Sequence, residues 1–171
     1  EFLELINATN TALRYLEDAT SLRSLLLYSP KKITDAATYH LAKLTHLKEL
    51  KFIKGWGGDN REVLRITDAG MPALGSMTQL VSLDLGSTSV TDRGMKHIRE
   101  LKNLERLGLP SSREPRTGKP LITDITLGYL AKLSNLKLIF AGSGRFTDEG
   151  LRHLSKLRRL ERLVLNSASD T

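Results

Sequence analysis

A tripeptide recurs along this chain, and its recurrence restricts the fold more than any other feature. Ile33-Thr34-Asp35, Ile66-Thr67-Asp68, Val90-Thr91-Asp92, Ile122-Thr123-Asp124 and Phe146-Thr147-Asp148 follow one another at intervals of 33, 24, 32 and 24 residues. A variant, Ala8-Thr9-Asn10, precedes the first by 25. A period of roughly 20–50 residues marks stacked supersecondary units, each of which buries its apolar face only against its neighbours. The basic unit is 24 residues, and two units carry inserts of nine and eight. The expected repeats are 8–32, 33–65, 66–89, 90–121, 122–145 and 146–171, with a partial strand unit at 1–7. Together they make one domain over 1–171, read as part of a longer protein because the chain starts at Glu1.

Within a unit the apolar spacing changes. Met71, Leu74, Met77 and Leu80 step by three, as on one face of a short helix, whereas Leu83 and Leu85 step by two, as in a strand. The same six columns run through every unit to Leu151, Leu154, Leu157, Leu160, Leu163 and Leu165, and Thr38 is the one polar member. Thr67 or Asp68 is placed to cap the helix, and an acidic first turn suits the helix dipole. Two residues after the acidic position stand Ala12, Ala37, Gly70, Gly94 and Gly150, small enough for a neighbouring helix to approach. Each unit therefore reads helix, turn, short strand, turn.

The pattern Leu80-Val81-Ser82-Leu83-Asp84-Leu85, followed by a Thr-Asp helix start, resembles the leucine-rich-repeat family. The Thr-Asp-x-Gly-Leu form is similar to its cysteine-containing, F-box-associated subclass and to related bacterial arrays. The resemblance implies an α/β solenoid: a right-handed open arc with a concave parallel sheet and convex helices. The turn position that carries Asn or Cys in that family holds Pro30, Gly55, Thr88, Ser112, Gly144 and Ala168, so no asparagine ladder is expected there.

Composition narrows the chemistry. The chain has no cysteine, which removes disulfides, thiolate metal sites and a cysteine nucleophile. Residues 1–85 hold 10 Lys and Arg against 10 Asp and Glu. Subtracting these from the totals of 26 and 19 leaves 16 and 9 in residues 86–171, so the whole excess of +7 lies in the second half. No apolar run reaches the roughly 18 residues of a membrane span.

In a solenoid of this kind the residues alternating with the strand leucines face the concavity. Tyr28 with Leu26 and Ile53, and Phe140 with Leu138 and Val164, are apolar clusters on a face where an idle surface would be polar. Lys51, Asp84, Arg106 and Arg162 share that face. The two inserts emerge on one edge: Gly55-Trp56-Gly57-Gly58 brings the only Trp, and the second brings Arg113 and Arg116. These thirteen residues are the candidate partner-binding set. His40, His97 and His153 occupy one repeat column, too far apart along the stack to share an ion at ~2.1 Å bonds. The Asp column marks helix starts rather than a catalytic pair, and no nucleophile elbow, phosphate loop or zinc spacing is present. The expectation is a non-enzymatic protein-interaction module with no cofactor or metal, binding a protein partner through the concave face and the insert edge. The alternative is an electrostatic binder of an anionic polymer or acidic surface through the basic C-terminal half. Nucleic acid is not expected, since stacking aromatics are missing from the basic segments. Leucine edges at the two ends suggest weak self-association.

Overall fold

The computed structural model describes residues 1–28, 33–53, 65–111, 113 and 118–167. Among them, seven strands form one parallel sheet in which spatial order equals chain order. They are β1 (Phe2–Ile6), β2 (Ser24–Tyr28), β3 (Glu49–Ile53), β4 (Ser82–Asp84), β5 (Arg106–Leu109), β6 (Leu138–Gly144) and β7 (Arg162–Ser167). Parallel neighbours need a crossover connection. Here each crossover contains a short helix: α1 (Asn10–Arg14), α2 (Asp35–Ala42), α3 (Met71–Gly75), α4 (Asp92–Met95), α5 (Asp124–Leu130) and α6 (Asp148–Leu154). A 3-10 turn over Lys96–Glu100 continues α4. The chain thus advances one strand per circuit, as an α/β solenoid.

The periodic leucines fill the space between sheet and helices. Leu25, Leu50, Leu83, Leu107 and Ile139 stand opposite one another on successive strands and are all buried. The helix-side columns close over them through Leu41, Leu74, Ile98 and Leu130. Thr38, the polar exception, is fully buried and donates its hydroxyl to the Asp35 carbonyl at 2.7 Å. The first residue of the recurring tripeptide adds a further apolar column, because Ile33, Ile66, Val90 and Ile122 are fully buried. On β7 the packing thins, and Leu163 is 38% exposed.

The threonine and the acid of the tripeptide do different work. In four of the five steps between successive helix starts, one carboxylate receives two hydrogen bonds from the threonine of the following repeat. The Thr67 amide donates to Asp35 Oδ1 at 2.7 Å and its hydroxyl to Oδ2 at 2.8 Å. Thr91 binds Asp68 in the same way at 2.8 and 2.7 Å, and Thr123 binds Asp92 at 3.0 and 2.6 Å. Thr147 binds Asp124 at 2.9 and 2.6 Å. At the first step Asn10 replaces the acid. Its Oδ1 accepts from the Thr34 amide, but its own Nδ2 donates to the Thr34 hydroxyl. The threonine hydroxyl also caps its own helix, accepting from Ala12, Arg93, Ile125 and Gly150 amides at Thr9, Thr91, Thr123 and Thr147. Thr34 makes no side-chain cap, its hydroxyl oxygen being taken by Asn10. The cap therefore belongs to threonine at these four starts, but not where Thr67 or Asp68 was expected to cap. There α3 begins only at Met71, with Gly70 at its cap position and no side-chain cap, while the Thr67 hydroxyl accepts the Ala69 amide at 3.3 Å. The aspartate is the inter-repeat tie.

The same tie explains the small residue two places on. A Cβ at Gly70 would lie 2.7 Å from Asp35 Oδ1, and one at Gly94 2.5 Å from Asp68 Oδ1. It is the neighbour's carboxylate that needs the space, rather than the neighbouring helix as a whole. Where the column holds Thr126, the side chain joins the network and donates to Asp92 Oδ1 at 2.6 Å.

An amide ladder does exist, at a turn other than the one where its absence was expected. Gln79, Asn103 and Asn135, each just before a buried leucine at the helix-to-strand turn, donate to the carbonyls of Leu44, Thr78 and Lys102 at 3.0, 2.9 and 2.8 Å. Arg159 ends it by donating to Asn135 Oδ1. On the sheet, Glu49 receives Ser24 Oγ at 2.6 Å and pairs with Lys51 Nζ at 2.8 Å. Burial works to raise its pKa, but the hydrogen bonds from Lys51 and Ser24, helped by the charges of Lys51 and Arg106, hold it below the usual carboxylate value.

Two outcomes follow for stability. Thr91→Val removes both the hydroxyl bond to Asp68 and the cap of α4, and costs about 1–2 kcal/mol, while Thr91→Ser recovers most of it. Equal stability of the valine and serine variants in urea titration would contradict this. For Glu49 the lowered pKa means a contribution present above the unfolded carboxylate value and lost as pH falls through the folded one. Glu49→Gln should therefore melt below the parent at pH 7, with the gap closing in melting scans as pH drops below about 4.

Candidate functional site

The face of the sheet turned away from the helices carries three lateral rows. The first runs Phe2, Ser24, Glu49, Ser82, Arg106, Leu138, Arg162, and the second Glu4, Leu26, Lys51, Asp84, Gly108, Phe140, Val164. The third begins Ile6, Tyr28, Ile53. Neighbours in a row sit about 4.8 Å apart, the spacing of strands, so like residues in adjacent places touch.

Two apolar clusters result. Toward β1, Leu26, Tyr28 and Ile53 are half-buried and adjoin Ile6, which is 74% exposed. Phe2, 60% exposed, stands at the corner of the same face. Phe2 and Ile6 extend the surface beyond the expected set, and their alternation with Leu3 and Leu5 was the available signal. Toward β7, Leu138 and Val164 are half-buried around Phe140, which is 46% exposed.

The second cluster lies in a hollow of about 350 Å³. It brings together seven candidates, Lys51, Asp84, Arg106, Leu138, Phe140, Arg162 and Val164, with Ser82, Leu83, Leu107 and Gly108 beneath them. Leu26, Tyr28 and Ile53 stay outside it, in the first cluster. Trp56 and Arg116 lie outside the described residues. Arg113 is exposed at the second insert, where it forms an antiparallel bridge with Pro120 and donates Nη1 to the Gly118 carbonyl at 3.0 Å. Gly118 has φ of 66°, a left-handed turn conformation that glycine adopts without a Cβ penalty.

Gly108 lines the hollow. It stands between Asp84 and Phe140 in the second row, and a Cβ there would collide with the Asp84 carboxylate. The space a side chain would take at Gly108 is occupied by the Asp84 carboxylate. The Asp84 carboxylate accepts the Gly86 amide at 2.8 Å, so part of its acceptor capacity is committed to the turn after β4. Glu49 and Lys51 satisfy each other. Arg106 and Arg162 are exposed and have no hydrogen-bond or ion-pair partner among the described residues. They flank Leu138 in the first row.

The helix side differs. Tyr15, Tyr39 and Ile125 are exposed there, one each on or beside α1, α2 and α5, and at different positions of their repeats. Many of its basic groups are already engaged. Arg99 pairs with Glu100 at 3.2 Å and Arg152 with Glu149 at 2.8 Å. A hollow of about 410 Å³ at the helix-to-strand turns is lined by Lys137, Arg158, Arg159, Leu160 and Glu161. Of its cations, Lys137 pairs with Glu105 and Arg159 binds Asn135.

His40 and His97 stand in different surroundings. His40 Nδ1 bonds to Glu17, and the hydrogen bonds of Lys43 and then His40 hold the Glu17 carboxyl below its ordinary range. Burial, followed by the Lys96 and Arg99 charges, pushes His97 down. Among the described residues no group of three or more His, Asp or Glu side chains is placed to hold a metal ion, and no helix is long and apolar enough to cross a membrane.

No protein-family model matches the chain, and no curated protein does. Solved structures do match. An internalin C2 from Listeria monocytogenes is 26% identical with a TM-score of 0.64, the match covering 99% of this chain and 64% of that one. Another internalin of the same organism, at 22% identity and a TM-score of 0.58, matches over 90% of this chain and 37% of its own. A leucine-rich-repeat protein of Leptospira interrogans, at 17% and 0.56, matches over 97% of this chain and 48% of its own. The chain thus spans less than two thirds of each of these three structures. The cysteine-containing subclass gains no support, since the chain has no cysteine. Its repeat register, chain-ordered parallel sheet and likeness to these structures make the fold a leucine-rich-repeat solenoid.

Proposed function

We propose that this solenoid is a non-enzymatic protein-interaction module that binds a partner polypeptide across its concave sheet face, with the insert edge contributing. The observation that carries the reading is the register of exposed and half-buried apolar side chains on that face. Ile6, Tyr28 and Ile53 adjoin in one row, and Phe140 and Val164 in another. Apolar groups adjoining across strands are costly to leave in water, and a partner that covers them gains roughly 25 cal/mol per Å². A sheet face about seven strands wide, at ~4.8 Å each, suits an extended polypeptide contact better than an enclosed small molecule.

Binding measured against a partner recovered with the parent chain should fall at least tenfold in Tyr28→Glu or Phe140→Glu and stay within about twofold in Tyr39→Glu on the helix side, in line with the few kcal/mol carried by central aromatic contacts. A steep loss of affinity from 50 to 200 mM salt, with little effect of either sheet-face substitution, would favour the anionic-polymer alternative instead.

A further inference from the structure

Resting on that reading, we infer that the hollow at Phe140 takes a polypeptide segment in which an acidic side chain adjoins an apolar one. The apolar side chain seats on Phe140 and Val164, in the hollow that they line with Gly108. The carboxylate lies over Leu138, between Arg106 and Arg162, which stand two strands apart in one row, about 10 Å by strand spacing.

The charge inventory of the hollow selects the sign. The Lys51 ammonium is neutralised by Glu49, whose two carboxylate oxygens are both occupied, by Lys51 and Ser24. Asp84 gives part of its acceptor capacity to the Gly86 amide. What is left toward β7 is a pair of guanidinium groups with no hydrogen-bond or ion-pair partner among the described residues, Arg106 acting on Glu49 only through its charge. Guanidinium matches carboxylate in a planar, bidentate geometry, and such bonds are shorter and stronger than neutral ones. The remaining negative charge of Asp84, on the second row, repels an acid placed on its side of Phe140. It therefore orients the segment, with its carboxylate toward the Arg106 row. Because both arginines are exposed, the pairing discriminates between partners more than it adds affinity.

The probe is a phage-displayed library of random twelve-residue peptides, selected on the immobilised parent chain and counter-selected on Phe140→Ala. Recovered peptides are synthesised with a fluorophore and titrated by anisotropy. The expected result is enrichment of Asp or Glu next to an aromatic or aliphatic residue, with affinity falling at least tenfold on Arg106→Glu/Arg162→Glu. Lysine-for-acid peptides should bind that double variant better than they bind the parent. Both positions are exposed, and coincident melting curves verify that the variants fold. Peptides that depend on Phe140 yet carry no acid, or that bind the double variant undiminished, overturn the inference and leave the sheet-face reading standing. If no recovered peptide depends on Phe140, the inference falls, and if none depends on Tyr28 either, the sheet-face reading falls with it.

Discussion

Everything in this structure depends on a carboxylate at the start of one helix receiving the amide and hydroxyl of the threonine that starts the next. Each contact spans two repeats, from Asp35–Thr67 to Asp124–Thr147, and satisfies two donors with one side chain. A hydroxyl is needed because at Thr91, Thr123 and Thr147 it donates to the neighbour while accepting from its own helix. Aspartate is required because it presents two acceptor oxygens on a short stem. At Gly70, Gly94 and Gly150, two places on, glycine stands where the carboxylate of the preceding repeat fills the space a Cβ would take. With helices of only four to eight residues, far too short to be stable alone, the ladder and the leucine stack must hold them jointly.

That division of labour leaves the other face of the sheet free. The inward positions are fixed by packing, and the helix starts by the ladder. The outward positions of the strands have no structural duty to remain apolar. That Ile6, Tyr28 and Ile53, and then Phe140 and Val164, are nevertheless apolar and adjacent is what gives the face its functional interest. The exceptions are informative. Asp84 is drawn into the turn after β4, Glu49 is tied to Ser24 on the neighbouring strand, and Gly108 yields the space of a side chain to the Asp84 carboxylate.

How much of this was legible beforehand differs by level. The leucine columns and the alternation at Leu83 and Leu85 disclosed the strands, the sheet and its outward rows, because a period of two has one geometric meaning. The recurring Thr-Asp disclosed where helices begin, but not that the acid serves the following repeat, since sequence spacing carries no information on which neighbour a side chain meets. The amide ladder of Gln79, Asn103 and Asn135 escaped notice for a related reason. Its members differ in type, and its column in the first repeats holds Ser21 and His46. The hollow was legible only in part. Its walls were among the outward residues, but which of them converge on one hollow depends on how their side chains lie, the Phe140 ring among them.

The central claim is that the sheet face, rather than the helix side, meets the partner. Photo-crosslinking tests it most directly, with benzoylphenylalanine placed singly at Phe140 and at Ile125, which is 58% exposed on α5. In the presence of a captured partner, the account predicts a covalent adduct from position 140 and none from position 125. Adducts from position 125 alone would place the partner on the helices and contradict it.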